Sequence, residues 1–333
     1  MIPLSVLDLA TVATGSRPAD ALAATTTLAR DAERLGYHRF WVAEHHAMAA
    51  VASSAPAVLL AHLAGVTTTL RLGAGGVMLP NHAPLVVAEQ FATLEALHPG
   101  RIDLGLGRAP GTDHVTARAL RRDGDLRATS FPDDVVELIA YLLPQAAPPH
   151  PAPTPGAGYL PDVWLLGSST YSAHLAAQLG LPFSFAYHFA PALLDEALEV
   201  YRAHFRPSRF LESPYVMVAA SVICARDDAR ARWLAGSGAL HALQRARGRP
   251  GPLPSPEEAA AFEMDEADAA YVAESLAHHV IGSPSHVREG LRALQARTHA
   301  DEIMVSTRIH GLDDRRASME LLAEAWGLTA ASN

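Results

Sequence analysis

Short apolar segments alternate with longer amphipathic segments along almost the whole chain. We predict eight buried strands in this alternation, from residues 4–8 and 40–43 at the start to 303–306 near the end, with helices between them. Strands that are apolar throughout, such as Phe40-Trp41-Val42-Ala43, are typical of a parallel sheet covered on both faces. The pattern predicts an α/β fold, a (β/α)8 TIM barrel. A doubly wound sheet is the rival, because one misassigned strand changes the count.

The length of 333 residues allows one large barrel or two smaller domains. The only linker-like stretch runs from Pro144 to Pro161 and lies between a helix and a strand of the same alternation. We therefore predict a single domain over residues 1–333. The segment 227–281 is too long for a simple crossover, so we expect it to be an insertion after strand seven, near the barrel mouth. Its stretch 248–254, rich in Gly and Pro, is expected to be mobile.

Composition excludes several classes of function. A net charge of -9 and a pI near 6.0 argue against a nucleic-acid or anionic-membrane partner, because no basic surface is available to neutralise phosphates. No apolar run reaches the length of about 18 residues that a membrane span needs. The single cysteine, Cys224, lies in an apolar run and is expected to be a buried thiol in a reducing cytoplasm. The N-terminus reads as a strand, so no signal peptide is expected.

Polar and titratable side chains follow several of the predicted strands. In a barrel, these carboxyl-terminal strand ends converge on one mouth, where active sites lie. The residues concerned are Asp8, Glu44, His45, His46, Asn81, His82, Arg108, Ser168, Ser169, Thr170 and His188. A lone histidine is more often structural than functional, but four histidines directly after predicted strands are unusual. No metal site is predicted, because adjacent side chains such as those of Glu44, His45 and His46 alternate in direction.

Three features of the strand ends suggest a site for a flat, phosphorylated ring. The segment Gly167-Ser168-Ser169-Thr170 leads into a helix and can bind an anion through backbone amides and hydroxyls, although a plain helix cap explains it as well. Arg108 can pair with a phosphate, or alternatively with Asp113 or Glu44. The bare segment 73–76 can support a ring, or can simply form a tightly packed bulge. No GxGxxG after a first strand and no Walker A motif is present, so a Rossmann site is not expected.

Four blocks, in order along the chain, resemble the bacterial luciferase-like flavin monooxygenases, and in particular their single-chain oxidoreductase branch. The blocks are WVAEHH at 41–46, LGAGGVMLPNH at 72–82, RIDLGLGRAPGTD at 101–113 and LLGSS at 165–169. The resemblance covers residues 4 to about 322. It implies a (β/α)8 barrel that receives reduced FMN (FMNH2) from a separate NAD(P)H:flavin reductase. O2 then adds at the flavin C4a position, and the resulting peroxide hydroxylates or epoxidises an organic substrate. It also implies a homodimer formed through the helices beside strands two and three.

The resemblance assigns roles to particular residues. His45 matches the active-site histidine that moves a proton beside the peroxide, and we predict a catalytic role for its neighbour Glu44 as well. The flavin phosphate region is matched by Arg108, Gly167, Ser168 and Ser169. Ala74 and Gly75 match a bulge in strand three, often with a non-prolyl cis peptide, on which the isoalloxazine rests. The residues predicted to contact substrate are Asp8, His46, His82 and His188.

Two places depart from the expected family pattern, namely Ala47-Met48-Ala49-Ala50 after the histidines and Arg308-Ile309-His310-Gly311 near the C-terminus. We expect Tyr187-His188 to be a further local specificity site. The altered loop suggests as substrate a secondary metabolite such as an aromatic polyketide. The alternatives are a long-chain aldehyde monooxygenase like luciferase proper, a deazaflavin-dependent dehydrogenase on the same barrel, and a non-catalytic flavin-binding protein.

Overall fold

Eight parallel strands close into a barrel, which confirms the predicted (β/α)8 fold. The computed structural model describes residues 1–109, 111–120, 130–144 and 151–329. The strands are β1 (Leu4–Asp8), β2 (Arg39–Val42), β3 (Arg71–Met78), β4 (Ile102–Gly107), β5 (Asp162–Gly167), β6 (Phe183–Phe185), β7 (Val216–Cys224), β8 (Val280–Gly282) and β9 (Glu302–Ser306). From β1 to β6, each strand pairs with its neighbour in sequence. β6 also pairs with β7, and β9 lies between β7 and β1 and so closes the barrel.

The short strand β8 was not predicted. It pairs only with the end of β7, from Val222 to Cys224, and stands outside the closed barrel. Its three residues follow the histidine pair His278-His279 and carry too little apolar pattern to separate a strand from a loop.

The helices lie between the strands and cover the barrel. They are α1 (Pro18–Leu35), α2 (Pro56–Ala64), α3 (Pro84–Leu97), α4 (His114–Leu120), α5 (Phe131–Leu142), α6 (Thr170–Leu179), α7 (Leu194–His204), α8 (Asp228–Ala246), α9 (Pro256–Ala261), α10 (Glu266–Leu276), α11 (Pro284–Thr298) and α12 (Leu312–Trp326). Proline at the first turn starts α1, α2 and α3, and Gly36 ends α1 with φ +82. The sequence also predicts a helix near Asp113–Arg122, and the last two residues of that range lie outside the described residues.

Side-chain alternation divides the barrel strands between two cores. In β2, Phe40 and Val42 point outward into the large core between strands and helices, whereas Trp41 points into the barrel. The barrel interior also holds Trp164, whose ring meets that of Trp41 edge to face at 5.3 Å between centroids. An apolar strand without visible alternation therefore still has two distinct faces, because both faces are buried.

The amino-terminal end of the barrel interior is filled with charges rather than apolar groups. Arg39 lies at its centre and donates to Asp103 and to Glu302, at 2.9 Å each, while Arg71 also pairs with Asp103. Trp41 donates its indole N–H to Asp103 at 2.8 Å. Burial would lower the pKa of Arg39, but the two carboxylates outweigh burial and raise it. This ionic layer closes the barrel floor, and sequence analysis did not anticipate it.

The segment 227–281, which follows β7, supplies α8, α9, α10 and β8. Leu253 in this segment is buried and is bonded through both of its backbone groups to the loop after β1. Its N–H donates to the Val12 carbonyl at 2.9 Å, and its carbonyl accepts from Thr14 N at 2.8 Å. These hydrogen bonds hold the middle of the segment against the loop after β1. Leu253 is therefore anchored, although the stretch 248–254 was expected to be mobile.

Candidate active site

His45 lies at the carboxyl-terminal mouth of the barrel. It follows β2 by three residues and shares the inward direction of Trp41 and Ala43. Its Nδ1 lies 3.2 Å from the carbonyl oxygen of Gly111. A carbonyl can only accept, so the neutral ring carries its proton on Nδ1 and leaves Nε2 free as a base. Burial lowers the pKa of His45, against the raising effect of the Gly111 carbonyl.

Gly111 is required where it touches His45. Its φ is +65, a conformation that side chains other than glycine rarely adopt, and a Cβ there would lie 2.9 Å from the Glu44 carbonyl oxygen. The neighbouring Thr112 donates its hydroxyl to the His46 carbonyl at 2.9 Å. The loop after β4 is therefore bound tightly to the loop after β2, which holds the His45 ring in place.

Glu44 points away from His45 and is completely buried. Its Oε1 accepts from the Nε2 atoms of His46 and His82, at 2.8 Å each, and its Oε2 accepts from Met78 N at 2.9 Å. Burial alone would raise the pKa of Glu44, but the hydrogen bonds from His82, His46 and Met78 outweigh it and lower the pKa. A carboxylate enclosed in this way holds neighbouring loops together, so the geometry favours a positioning role over the predicted catalytic one.

His46 and His82 converge as predicted, but on Glu44. Both rings donate Nε2–H to the same carboxylate oxygen, and both remain partly exposed. The structure accounts for these two histidines as partners of Glu44, and their contact with substrate stays a prediction. Among the described residues, no group of three or more His, Cys, Asp or Glu side chains could hold a metal ion.

Asp8 does not belong to the mouth, which corrects the prediction that it binds substrate. Its carboxylate faces outward, where it accepts from the Thr25 hydroxyl of α1 and from Ala10 N. Arg315 of α12 lies 3.5 Å away on the other side. The physical reason is alternation: in β1, Ser5 and Leu7 point inward, so the residue after Leu7 must point toward the helices.

Arg108 lies beside the start of α6, as the phosphate prediction requires. Its guanidinium carbon sits 4.1 Å from the centroid of the Tyr171 ring, in the first turn of α6. The side chain of Ser169, the N-cap residue, makes no capping hydrogen bond. Neither proposed salt bridge of Arg108, to Asp113 or to Glu44, is present. Helix-start amides, serine hydroxyls and a guanidinium together form a donor set suited to a phosphate.

Glycines of β3 are needed for packing inside the barrel. A Cβ on Gly73 would lie 2.4 Å from Trp41 Nε1, and one on Gly75 would lie 2.8 Å from Trp41 Cε3. The cis peptide bond joins Gly75 to Gly76, and the register shift lies between Gly75 and Val77. The bulge is therefore present but one residue later than the predicted Ala74–Gly75 bond. Ala74 itself points into the outer core, so the support of a flat ring by this segment stays a prediction.

His188 lies at the mouth on the opposite side of the barrel from β2. Its backbone N–H donates to the Ala219 carbonyl at 2.7 Å, and its Nδ1 lies 3.3 Å from the same oxygen. Burial, and then the charge of Arg308, lower the pKa of His188 to about 3. His188 is thus a neutral imidazole whose position is fixed by β7, and Arg308, to which sequence analysis assigned no role, is its charged neighbour.

These features define a class of protein: a (β/α)8 barrel whose mouth combines a fixed imidazole with an arginine beside a helix start. The family model for luciferase-like monooxygenases matches residues 2–301, and the chain belongs to that family. A luciferase-like monooxygenase of Escherichia coli K12 is 48% identical over 320 residues, covering 96% of each chain. An N-acetyl-S-alkylcysteine monooxygenase of Bacillus subtilis 168 is 35% identical and covers 98% of each chain.

Solved structures agree with this assignment. Apo-MsnO8 superposes with a TM-score of 0.92 at 38% identity and covers 99% of both chains. More distant structures share the fold alone. An oxygenating constituent of 3,6-diketocamphane monooxygenase from Pseudomonas putida, in complex with FMN, has a TM-score of 0.71 at 18% identity over 97% of both chains. An F420-dependent secondary alcohol dehydrogenase also has a TM-score of 0.71, at 12% identity, over 98% of this chain and 99% of its own. In the part of the chain that the structure describes, no helix is long and apolar enough to cross a membrane.

Proposed function

We propose that this monooxygenase uses reduced FMN, supplied by a separate NAD(P)H:flavin reductase, to oxygenate a small organic molecule with O2. The observation that carries the proposal is the joint placement of His45 and Arg108. Both lie on the loops after β2 and β4, which are joined at Gly111, and Arg108 extends from there to the start of α6. In this arrangement Arg108 would bind the phosphate at one end of a cofactor, and His45 would lie at the other end, where a proton is transferred.

The residues fit FMN in chemical type. Arg108 and the amides of Ser168 and Ser169 would hold the phosphate, and the β3 bulge near Gly75 would carry the ring. When bound and reduced, the flavin supplies the electrons that activate O2. The chain itself positions the substrate, excludes water and moves a proton: with Nδ1–H donated to Gly111, the free Nε2 of His45 can accept or return that proton. Because its pKa is lowered by burial, His45 is neutral at pH 7.

Isotope transfer tests this proposal. With FMN, NADH, a flavin reductase and ¹⁸O2, we expect one labelled atom in the product, and none when the label is supplied as H2¹⁸O instead. The substrate panel includes aromatic polyketides, which the altered loop 47–50 suggested. It also includes N-acetyl-S-alkylcysteines, after the name of the Bacillus subtilis relative. Lack of incorporation from O2 across the panel would contradict an oxygenase function.

Replacement of Arg108 tests the phosphate site. Arg108→Ala is expected to weaken FMN binding by about 10-fold or more and to leave riboflavin within about 2-fold, because only FMN carries the phosphate. Fluorescence titration of both flavins measures the two affinities. Arg118→Ala on the exposed surface of α4 serves as the matched control and should alter neither. Equal losses for FMN and riboflavin would remove Arg108 from phosphate recognition.

A deazaflavin-dependent dehydrogenase is the second candidate, because an F420-dependent enzyme shares this fold. A phosphate-binding helix start suits either cofactor, so the two are separated by binding. We expect FMN to bind more tightly than F420; the reverse preference, with hydride transfer to F420, would favour the dehydrogenase.

A homodimer formed through α2 and α3 also remains a proposal. Each of these helices has an exposed valine, Val58 on α2 (73% exposed) and Val86 on α3 (45% exposed), which a partner surface could cover.

A further inference from the structure

Arg308 follows β9 by two residues and lies in the barrel mouth. Alternate residues of a strand point to the same face, so its side chain is directed inward like those of Met304 and Glu302. Its stem packs on α8, where a Cβ added to Gly238 would lie 3.4 Å from Arg308 Cβ. From there its positive charge lowers the pKa values of four histidines, namely His45, His188, His241 and His279. Arg308 thus lies on the opposite side of the barrel mouth from Arg108, because β9 and β4 are four strands apart in the barrel.

In the part of the chain that the structure describes, no acid neutralises this arginine. None of the hydrogen bonds or ion pairs among the described residues involves the Arg308 guanidinium. The following helix, α12, has two acids in its first turn, Asp313 and Asp314, and Asp314 pairs instead with Arg230 at 2.8 Å. Arg39 and Arg71, in contrast, are each paired with buried carboxylates at the barrel floor. Burial lowers the pKa of Arg308, and the nearby Arg245 lowers it further. Arg308 is a partly buried cation without a counter-ion among the described residues, so a ligand anion would be favoured beside it.

The surroundings of Arg308 include a second polar group, the imidazole of His241, which also has a hydrogen bond with the backbone of Gly251. His241 lies one turn along α8 from Gly238, and its Nδ1 is buried without a hydrogen-bond partner among the described residues. Burial, then Arg308, then Arg245, lower the pKa of His241 to about 4. Burial, His278 and Arg308 lower that of His279 to about 4. The imidazoles around Arg308 are therefore neutral at pH 7, and the guanidinium supplies the positive charge among them.

Aromatic rings complete this side of the mouth. The Tyr187 ring packs on His278 at 5.5 Å between centroids, and Phe189 packs on His188 at 4.7 Å. The Phe189 side chain is 60% exposed. A single guanidinium fork with aromatic and neutral imidazole neighbours suits an aromatic or apolar molecule that carries one carboxylate. The Arg108 site differs, because there the serines and helix-start amides match a phosphate.

We propose that Arg308, with His241 beside it, forms a carboxylate-binding subsite that selects anionic substrates and orients them across the mouth from Arg108. The inference rests on the proposed function for calling the ligand a substrate, but the subsite itself is defined by binding. It makes the chain selective for acids over their neutral amides or esters. The two arginines of the mouth would then have different roles: Arg108 binds the cofactor phosphate, and Arg308 binds the substrate carboxylate.

Equilibrium binding of 2-naphthoate and its neutral counterpart 2-naphthamide tests the subsite, with calorimetry and no turnover. For the wild type we expect naphthoate to bind about 10-fold or more tightly than naphthamide, because only the acid makes a charge-assisted pair with the guanidinium. Arg308→Gln should bring the two affinities to within about 2-fold, mainly by weakening naphthoate. Arg308→Met, which keeps a long stem, should do the same. Arg232→Gln, on the exposed surface of α8, should keep the preference.

Several results would overturn the proposal. These are equal affinities in the wild type, no saturable binding of naphthoate, or an unchanged preference in folded Arg308 variants. If Arg308→Gln reduced the preference for FMN over riboflavin while Arg108→Ala did not, Arg308 would be a phosphate ligand and the carboxylate subsite would be wrong. Should the oxygen-18 experiment fail while the Arg308-dependent preference holds, the oxygenase proposal falls and the anion subsite stands.

Discussion

Replacing His45 with alanine is expected to leave FMN affinity within about 2-fold of the wild type and to lower the rate of product formation by about 10²-fold or more. General acid–base groups contribute about 10²–10⁴-fold, and the free Nε2 of His45 is the group placed to act. Oxygen uptake should continue and appear as hydrogen peroxide, because the loss falls on coupling rather than on flavin binding. Product yield per O2 consumed measures the effect.

A second substitution separates proton transfer from position. Asn at position 45 can donate its side-chain amide to Gly111 but cannot exchange a proton, so His45→Asn should resemble His45→Ala. The wild-type rate should fall at low pH, because protonation of His45 removes the base. Burial lowers the pKa of His45, so this fall should begin below the ordinary histidine pKa of about 6.5. His286→Ala, on the outer helix α11 with a side chain 57% exposed, is the control. Unchanged coupling in both His45 variants would remove this residue from the mechanism.

The largest loss of stability is expected from Asp103→Asn. Asp103 is completely buried and accepts from Arg39 at 2.9 Å and from Trp41 at 2.8 Å, and it also pairs with Arg71. The amide keeps the shape but removes the charge, which leaves part of a buried cluster of two arginines uncompensated. Breaking a buried pair in this way costs roughly 3–5 kcal/mol. The midpoint of urea unfolding should therefore shift strongly downward.

The matched comparison for Asp103 is a carboxylate on the surface. Asp195 pairs with Arg297 at 2.6 Å, but both side chains are about half exposed or more. Asp195→Asn should scarcely move the unfolding midpoint, because water already solvates both groups. Equal shifts for the two variants would mean that the ionic floor of the barrel contributes no more than an ordinary surface pair.

Parts of the candidate site were predictable because strand ends of a parallel barrel always converge. His45, Arg108 and Ser168 follow three different strands, and closure of the barrel brings their loops to one mouth. The same rule misplaced Asp8, since its position at a strand end does not say toward which face its side chain points. It also left Arg308 without a role, because a missing counter-ion is a property of the surroundings and not of the residue.

The amino-acid sequence by itself determined the alternation of strands and helices, and with it the barrel, because burial of apolar segments on both faces leaves few other arrangements. It also determined which polar side chains stand at the strand ends. Only the tertiary structure decided which of them work together: Glu44 with His46 and His82, Arg108 with the start of α6, and Arg308 with no acid among the described residues. Hydrogen bonds and charge pairs join residues from different strands, and their geometry exists only once the barrel has closed.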